Sequence, residues 1–165
     1  MSDPTPSSNR VAASAPEDSL VRSKSPEGVR RMFSDIAPTY DFLNHFLSGG
    51  VDLWWRRVAA RSLVSGDVGR ILDICSGTGD LALALAARAS RVGAAPLIVA
   101  SDFTPAMMRL AGPKFLKGRN RVPHPSVGDA LHLPFGDSAF DLVTVAFGIR
   151  NVADLRTGLE EMVRV

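Results

Sequence analysis

A short apolar run that stops in a glycine turn constrains this chain more than any other feature. Ile71-Leu72-Asp73-Ile74-Cys75 is bounded by Gly69 and by Ser76-Gly77-Thr78-Gly79, and a helical stretch from Asp80 to Arg91 follows. A run of that length and composition reads as a buried strand feeding a turn and then a helix. The pattern continues. Leu97 to Ser101 is a second buried strand ending at Asp102, and Pro105 to about Leu116 is a helix with proline at its first position. Pro125 to Gly128 is a weaker strand, and Phe140 to Ala146 is a strong one before a last helix whose Leu155, Leu159, Met162 and Val163 share a face. Strands alternating with helices imply a parallel sheet with right-handed crossovers, so the expected fold is α/β and doubly wound.

Upstream, Ser25-Pro26-Glu27 carries the signals of a helix start. Met32, Phe33 and Ile36 then fall on one helical face. After Ala37-Pro38-Thr39, Tyr40, Leu43, Phe46 and Leu47 form a second stripe that ends at Ser48-Gly49-Gly50, and a third helix is expected from about Asp52 to Val64. Residues 26–66 therefore read as a helical cap, either packed on the core or closing as a lid over a substrate pocket. Residues 67–165 read as the α/β domain. Residues 1–25, rich in serine and proline with almost no large apolar side chains, are expected to form a disordered tail.

Composition removes several classes of function. No uncharged apolar run approaches the roughly 18 to 20 residues of a membrane-spanning helix, and the tail lacks the apolar core of a secretory signal. Cys75 is the single cysteine, so no internal disulfide can form and a cytoplasmic location is the expectation. Its thiol reads as buried and structural. The formal net charge of +2 comes from a small basic excess without a long basic stripe, so no nucleic-acid partner is expected. Lys114, Lys117, Arg119 and Arg121 form one basic stretch, which is either a solvated helix end or a contact for anionic lipid headgroups. His45, His124 and His132 have no metal-ligand spacing, so no metal is expected. The G-x-S-x-G elbow of Ser-His-Asp hydrolases is absent.

The chemistry is concentrated at the strand ends. Gly77 and Gly79 permit a tight turn and the close approach of a ligand, and the helix that follows offers unpaired N–H donors. Asp102, at the end of the next strand, is placed to accept the ribose hydroxyls of a nucleoside. Gly77 to Ala82 also satisfies the dinucleotide pattern G-x-G-x-x-A, which raises a nicotinamide or flavin cofactor. Three features favour S-adenosylmethionine instead. Asp73, just before the turn, suits a methionine amino group and would repel a pyrophosphate. Asp129, in Gly128-Asp129-Ala130, is placed to accept from an adenine amino group, and Leu131 to Phe135 supplies an apolar wall.

Asp73 to Gly79, Ser101-Asp102 and Gly128-Asp129-Ala130 with Leu133-Pro134-Phe135, taken in that order, resemble the class I S-adenosylmethionine-dependent methyltransferases. A narrower resemblance rests on three groups of residues. They are the segment from Phe33 to Asn44, then Leu47-Ser48-Gly49-Gly50 with Trp55-Arg56-Arg57, then Phe147-Gly148-Ile149-Arg150-Asn151-Val152. It points to the ubiquinone and menaquinone biosynthesis C-methyltransferases, of the demethylmenaquinone methyltransferase type, which methylate a ring carbon of a polyprenylated quinol. The resemblance implies a Rossmann-like sheet of which four strands are present here. It also implies that Thr78, Asp102, Asp129 and Ala130 line the cofactor site. Ala146, where relatives often carry serine, offers its backbone alone. Val165 falls inside the last helix without a stop signal, so the domain is expected to continue beyond it and this chain alone to be marginally stable.

Methyl transfer to carbon requires a nucleophilic carbon aligned with the methyl group and exclusion of water. Arg150, directly after the fourth strand, is placed to stabilise a developing quinol oxyanion. Tyr40 and Asn44 share a helical face and either meet the ring or tie the lid to the sheet. The expected partner is a polyprenylated quinol, with contact at the inner face of a membrane as an option. Benzoquinol and naphthoquinol both stay open, as do another small-molecule methyl acceptor and a fragment that only binds or interacts.

Overall fold

The computed structural model describes residues 27–28, 30–35, 48–117 and 122–165. The expected tail, the Ser25-Pro26 helix start and the stripe from Tyr40 to Leu47, with Tyr40 and Asn44 in it, lie outside the described residues. The elements run α1 (Val51–Leu63), β1 (Arg70–Ile74), α2 (Asp80–Arg91), β2 (Leu97–Asp102), α3 (Pro105–Leu116), β3 (His124–Val127), β4 (Leu142–Val145), a 3-10 turn (Phe147–Asn151) and α4 (Leu155–Arg164). Residues 30–35 are also helical.

The four strands form one parallel sheet in the order β3-β2-β1-β4. β1 is buried on both faces, which is why it reads as a nearly unbroken apolar run. Ile71 packs with Ile98, Leu85, Ala89 and Phe115 beneath α1, α2 and α3, whereas Leu72 and Ile74 pack with Leu133, Val143 and Met162 beneath α4. Each large aliphatic side chain removed from water in this way contributes about 1.5–3 kcal/mol. The chain winds outward from β1 through β2 to β3 and then crosses back to place β4 on the other side of β1. That reversal opens a crevice at the carboxyl ends of β1 and β4, where sheets of this kind bind ligands.

Two local arrangements shape the crevice. β4 is shorter than its apolar run, because Asp141 ends the ladder: its carboxylate accepts the N–H groups of Gly69 and Arg70 at 3.1 and 2.8 Å. At its other end Ala146 leaves extended geometry and the 3-10 turn begins. α4 is capped by Asp154, whose carboxylate accepts from the N–H groups of Arg156 and Thr157.

Candidate active site

The turn after β1 is built on three residues with positive φ: Cys75 at 52°, Gly77 at 59° and Gly79 at 84°. Only glycine adopts such a conformation without strain, so the two glycines make the turn possible. Gly79 also sits where a Cβ would lie 2.3 Å from the ring of Phe115. Its small size lets α2 approach α3, and Gly79 itself lies outside the pocket lining. The Gly77 N–H is donated to Asp102 Oδ2 at 2.9 Å, while Asp102 Oδ1 accepts from the Thr104 N–H at 2.8 Å. Asp102 thereby ties the end of β2 to the turn after β1, and burial raises its pKa.

Asp73 lies beneath this turn, 1% exposed. Its carboxylate accepts from Ser76 Oγ at 2.6 Å and from Thr144 Oγ1 at 2.9 Å. Burial outweighs these bonds and pushes the carboxyl up to about 6, with the nearby Asp102 charge adding to the effect. Such a group gains from a cationic neighbour. The Cys75 thiol, also raised by burial and then by the surrounding aspartates, is pushed up to about 12. The Cys75 side chain is half-buried and lines the pocket, so the expectation of a buried thiol is met only in part.

The third wall is the loop after β3. Asp129 Oδ1 accepts the Leu131 N–H at 2.9 Å, and Ala130 and Leu133 are buried against β1. α4 clamps this loop. Glu161 accepts the Leu133 N–H at 2.8 Å, and Arg164 donates to the carbonyls of Leu133 and Phe135 at 3.1 and 2.9 Å. The Arg164 guanidinium, paired with Glu161, holds that carboxyl down at about 2.

Two cations brace the glycine turn, Arg56 from within the pocket lining and Lys114 from outside it. Arg56 on α1 donates to Asp52 at 2.6 Å and to Asp80 at 3.2 Å, and Lys114 on α3 pairs with Asp80 and reaches Thr78 Oγ1 at 3.4 Å. This strut joins α1, α2 and α3 at the lip of the turn. Asp52, an acid at the start of a helix, ends the strut and is 6% exposed; in the sequence Arg56 stands out only within the family resemblance and Lys114 only within a basic stretch.

These walls enclose a pocket of about 390 Å³. Of the residues marked from sequence, Asp73, Gly77, Thr78, Asp102, Asp129, Ala130, Ala146 and Arg150 all line it. Arg150 lies on the 3-10 turn, its guanidinium 5.9 Å from the centre of the Phe147 ring, which also lines the pocket. Phe147 meets Trp55 of α1 edge to face at 5.2 Å. Met32 and Phe33, from the helical residues 30–35, add an apolar side. The donor set discriminates between ligands. Asp73, Asp102 and Asp129 present carboxylates, and Asp80 occupies the N-terminus of α2, where a dinucleotide would set its pyrophosphate. The arrangement suits a ligand with a cation, hydroxyls and a flat apolar ring.

The model of the ubiE/COQ5 methyltransferase family matches residues 20–165. The chain is 48% identical over 139 residues to a demethylmenaquinone methyltransferase of Deinococcus radiodurans, covering 84% of this chain and 56% of that protein. It is 44% identical over 145 residues to the ubiquinone/menaquinone biosynthesis C-methyltransferase UbiE of Geobacter sp. strain M21, covering 87% and 60%. It thus spans a little over half the length of these curated relatives. Among solved structures, the [4+2]-cyclase SpnF matches with a TM-score of 0.67 at 21% identity, covering 86% of this chain and 56% of that one. An S-adenosylmethionine-dependent methyltransferase of Thermotoga maritima, described as a possible histamine N-methyltransferase, matches at 0.61 and 22% identity, covering 81% and 55%. At such identities the likeness is one of fold.

Proposed function

The chain belongs to the ubiE/COQ5 methyltransferase family, and from that premise we propose that its pocket binds S-adenosylmethionine and serves C-methylation of a polyprenylated quinol. The observation that carries the reading is the meeting of Asp73, Asp102 and Asp129 around one glycine turn. Asp73 faces the methionine ammonium, which suits a buried carboxyl already raised to about 6. Asp102 accepts the ribose hydroxyls with the lone pairs its two backbone bonds leave unused. Asp129 accepts from the adenine amino group, and Leu131 covers the ring. When bound, the cofactor supplies a methyl group on a sulfonium, electrophilic enough to need no further activation.

The remaining work falls to the acceptor side of the pocket. Phe147, Met32 and Phe33 form an apolar approach for a prenylated ring and exclude water from it. This supports a lid role for the helical residues 30–35, while α1 packs on the core through Ala60 and the adjoining Val64 as a cap; Tyr40 and Asn44 are proposed ring contacts. Arg150 is placed to hold the ionised quinol oxygen, which pushes electron density onto the ring carbon that is methylated. The acceptor is proposed to be the demethylmenaquinol or ubiquinol precursor class, following the names of the relatives. The test is transfer of a labelled methyl group from S-adenosylmethionine to reduced benzoquinol and naphthoquinol acceptors bearing a short prenyl tail. Label on the quinol ring supports the proposal. Bound cofactor with label on neither acceptor refutes the choice of acceptor.

A further inference from the structure

We propose that the cleft between α1 and α2 docks the chain on an anionic phospholipid surface. The cleft is a second cavity, of about 280 Å³, and Arg57, Arg61, Arg88 and Arg91 line it. Its lining includes one acid, Asp80, which is already bonded to Arg56 and Lys114. Among the described residues, none of those four arginines forms an ion pair, and the Nε of Arg88 is buried without a hydrogen-bond partner. Arg57 and Arg61 stand one helical turn apart, a like-charge spacing that disfavours the helix unless an anion lies between them. Guanidinium forks match the oxygens of a phosphate in geometry as well as charge.

The neighbouring surface selects a lipid over a soluble phosphate. α1 leaves Val51, Trp54 and Val58 exposed at 59%, 64% and 44%, spaced i, i+3 and i+7 along one stripe. A helix with arginines on one side and tryptophan with valines on the other has the composition of one that lies in a headgroup layer, where tryptophan keeps its N–H wet and its ring dry. Trp55, beside Trp54, meets Phe147 at the pocket lip. A surface held against α1 would therefore lie next to the mouth through which the proposed acceptor enters, a consequence that rests on the functional reading above. The docking itself does not.

The test uses sedimentation with vesicles that contain no quinol, made of phosphatidylcholine with or without phosphatidylglycerol. The chain should pellet with the mixed vesicles and remain in the supernatant with phosphatidylcholine alone. Arg57→Gln/Arg61→Gln should weaken pelleting at least tenfold. Arg109→Gln/Arg156→Gln, which removes the same charge elsewhere, should leave it within a factor of two. Tryptophan emission should shift to the blue on mixed vesicles, and Trp54→Phe, which keeps Trp55, should lose most of the shift. Circular dichroism of each variant checks that it is folded. Equal weakening by both arginine pairs, or no pelleting of the folded wild-type chain, would overturn the proposal. So would binding of inorganic pyrophosphate, lost in Arg57→Gln/Arg61→Gln, without pelleting.

Discussion

Gly148 and Cys75 share one side-chain space: a Cβ on Gly148 would lie 2.3 Å from the Cβ of Cys75 and 3.3 Å from its Sγ. The contact seats the turn that carries Arg150 against the end of β1, where Cys75 itself has φ of 52°. Gly148→Ala should lower stability by about 1–3 kcal/mol through overpacking. Cys75→Gly removes the opposing Cβ and suits the positive φ, so the double variant should recover most of the loss. Thermal melts of the four proteins measure the coupling.

Asp73 should give the fold a pH dependence of unusual sign. Its carboxyl is raised from 3.8 to about 6 in the folded chain, so between those values the folded state holds a proton that the unfolded state has lost. Stability contributed by this group is therefore highest below pH 3.8, falls as pH rises through about 6, and levels off above it. Asp73→Asn should flatten that slope and leave the chain more stable at neutral pH, by at most on the order of 3 kcal/mol. The same variant should bind S-adenosylmethionine more weakly, having no charge to face the ammonium. Denaturant melts across the pH range, together with titration of the cofactor, separate the two effects.

The clamp from α4 should matter for adenine and little for the rest of the pocket. Arg164→Ala removes the donors to the carbonyls of Leu133 and Phe135 and frees Glu161. Affinity for S-adenosylmethionine should fall about three- to tenfold, while methionine alone, competed against the cofactor, should be unaffected.

Arg150→Ala should separate binding from transfer. With the guanidinium gone, the cofactor should bind within a factor of two of the wild-type affinity, and methyl transfer to quinol should fall by about 10²- to 10³-fold. Full turnover by this variant would remove the oxyanion role.

The strands and their acids were legible in the sequence because burial on both faces leaves an apolar run in β1 and β2, because Asp73 is the one acid that interrupts the first run, and because Asp102 ends the second. Pro105 marked the start of α3 for a similar local reason. The strut from Asp52 through Arg56 and Asp80 to Lys114 was not legible. Arg56 and Asp80 are 24 positions apart, and Asp80 and Lys114 are 34 apart, so their meeting depends on how the helices cross. Gly79 shows the same effect in one residue. Its pattern suggested a cradle for the ligand, whereas the Phe115 ring from a distant helix explains why no side chain fits there. The apolar run from Phe140 to Ala146 is longer than β4, because the carboxylate of Asp141 draws bonds from Gly69 and Arg70 at one end and the 3-10 turn begins after Ala146 at the other.

Calorimetric titration of the chain with S-adenosylmethionine, beside Asp102→Asn, decides whether the glycine turn and its acids form a cofactor site. Asparagine keeps one acceptor for the turn and loses the charge and one acceptor offered to the ribose. Saturable binding at one site, weakened at least tenfold in a variant with unchanged circular dichroism, is the predicted result. Absence of binding by the folded wild-type chain, or equal affinity in the two proteins, would contradict it.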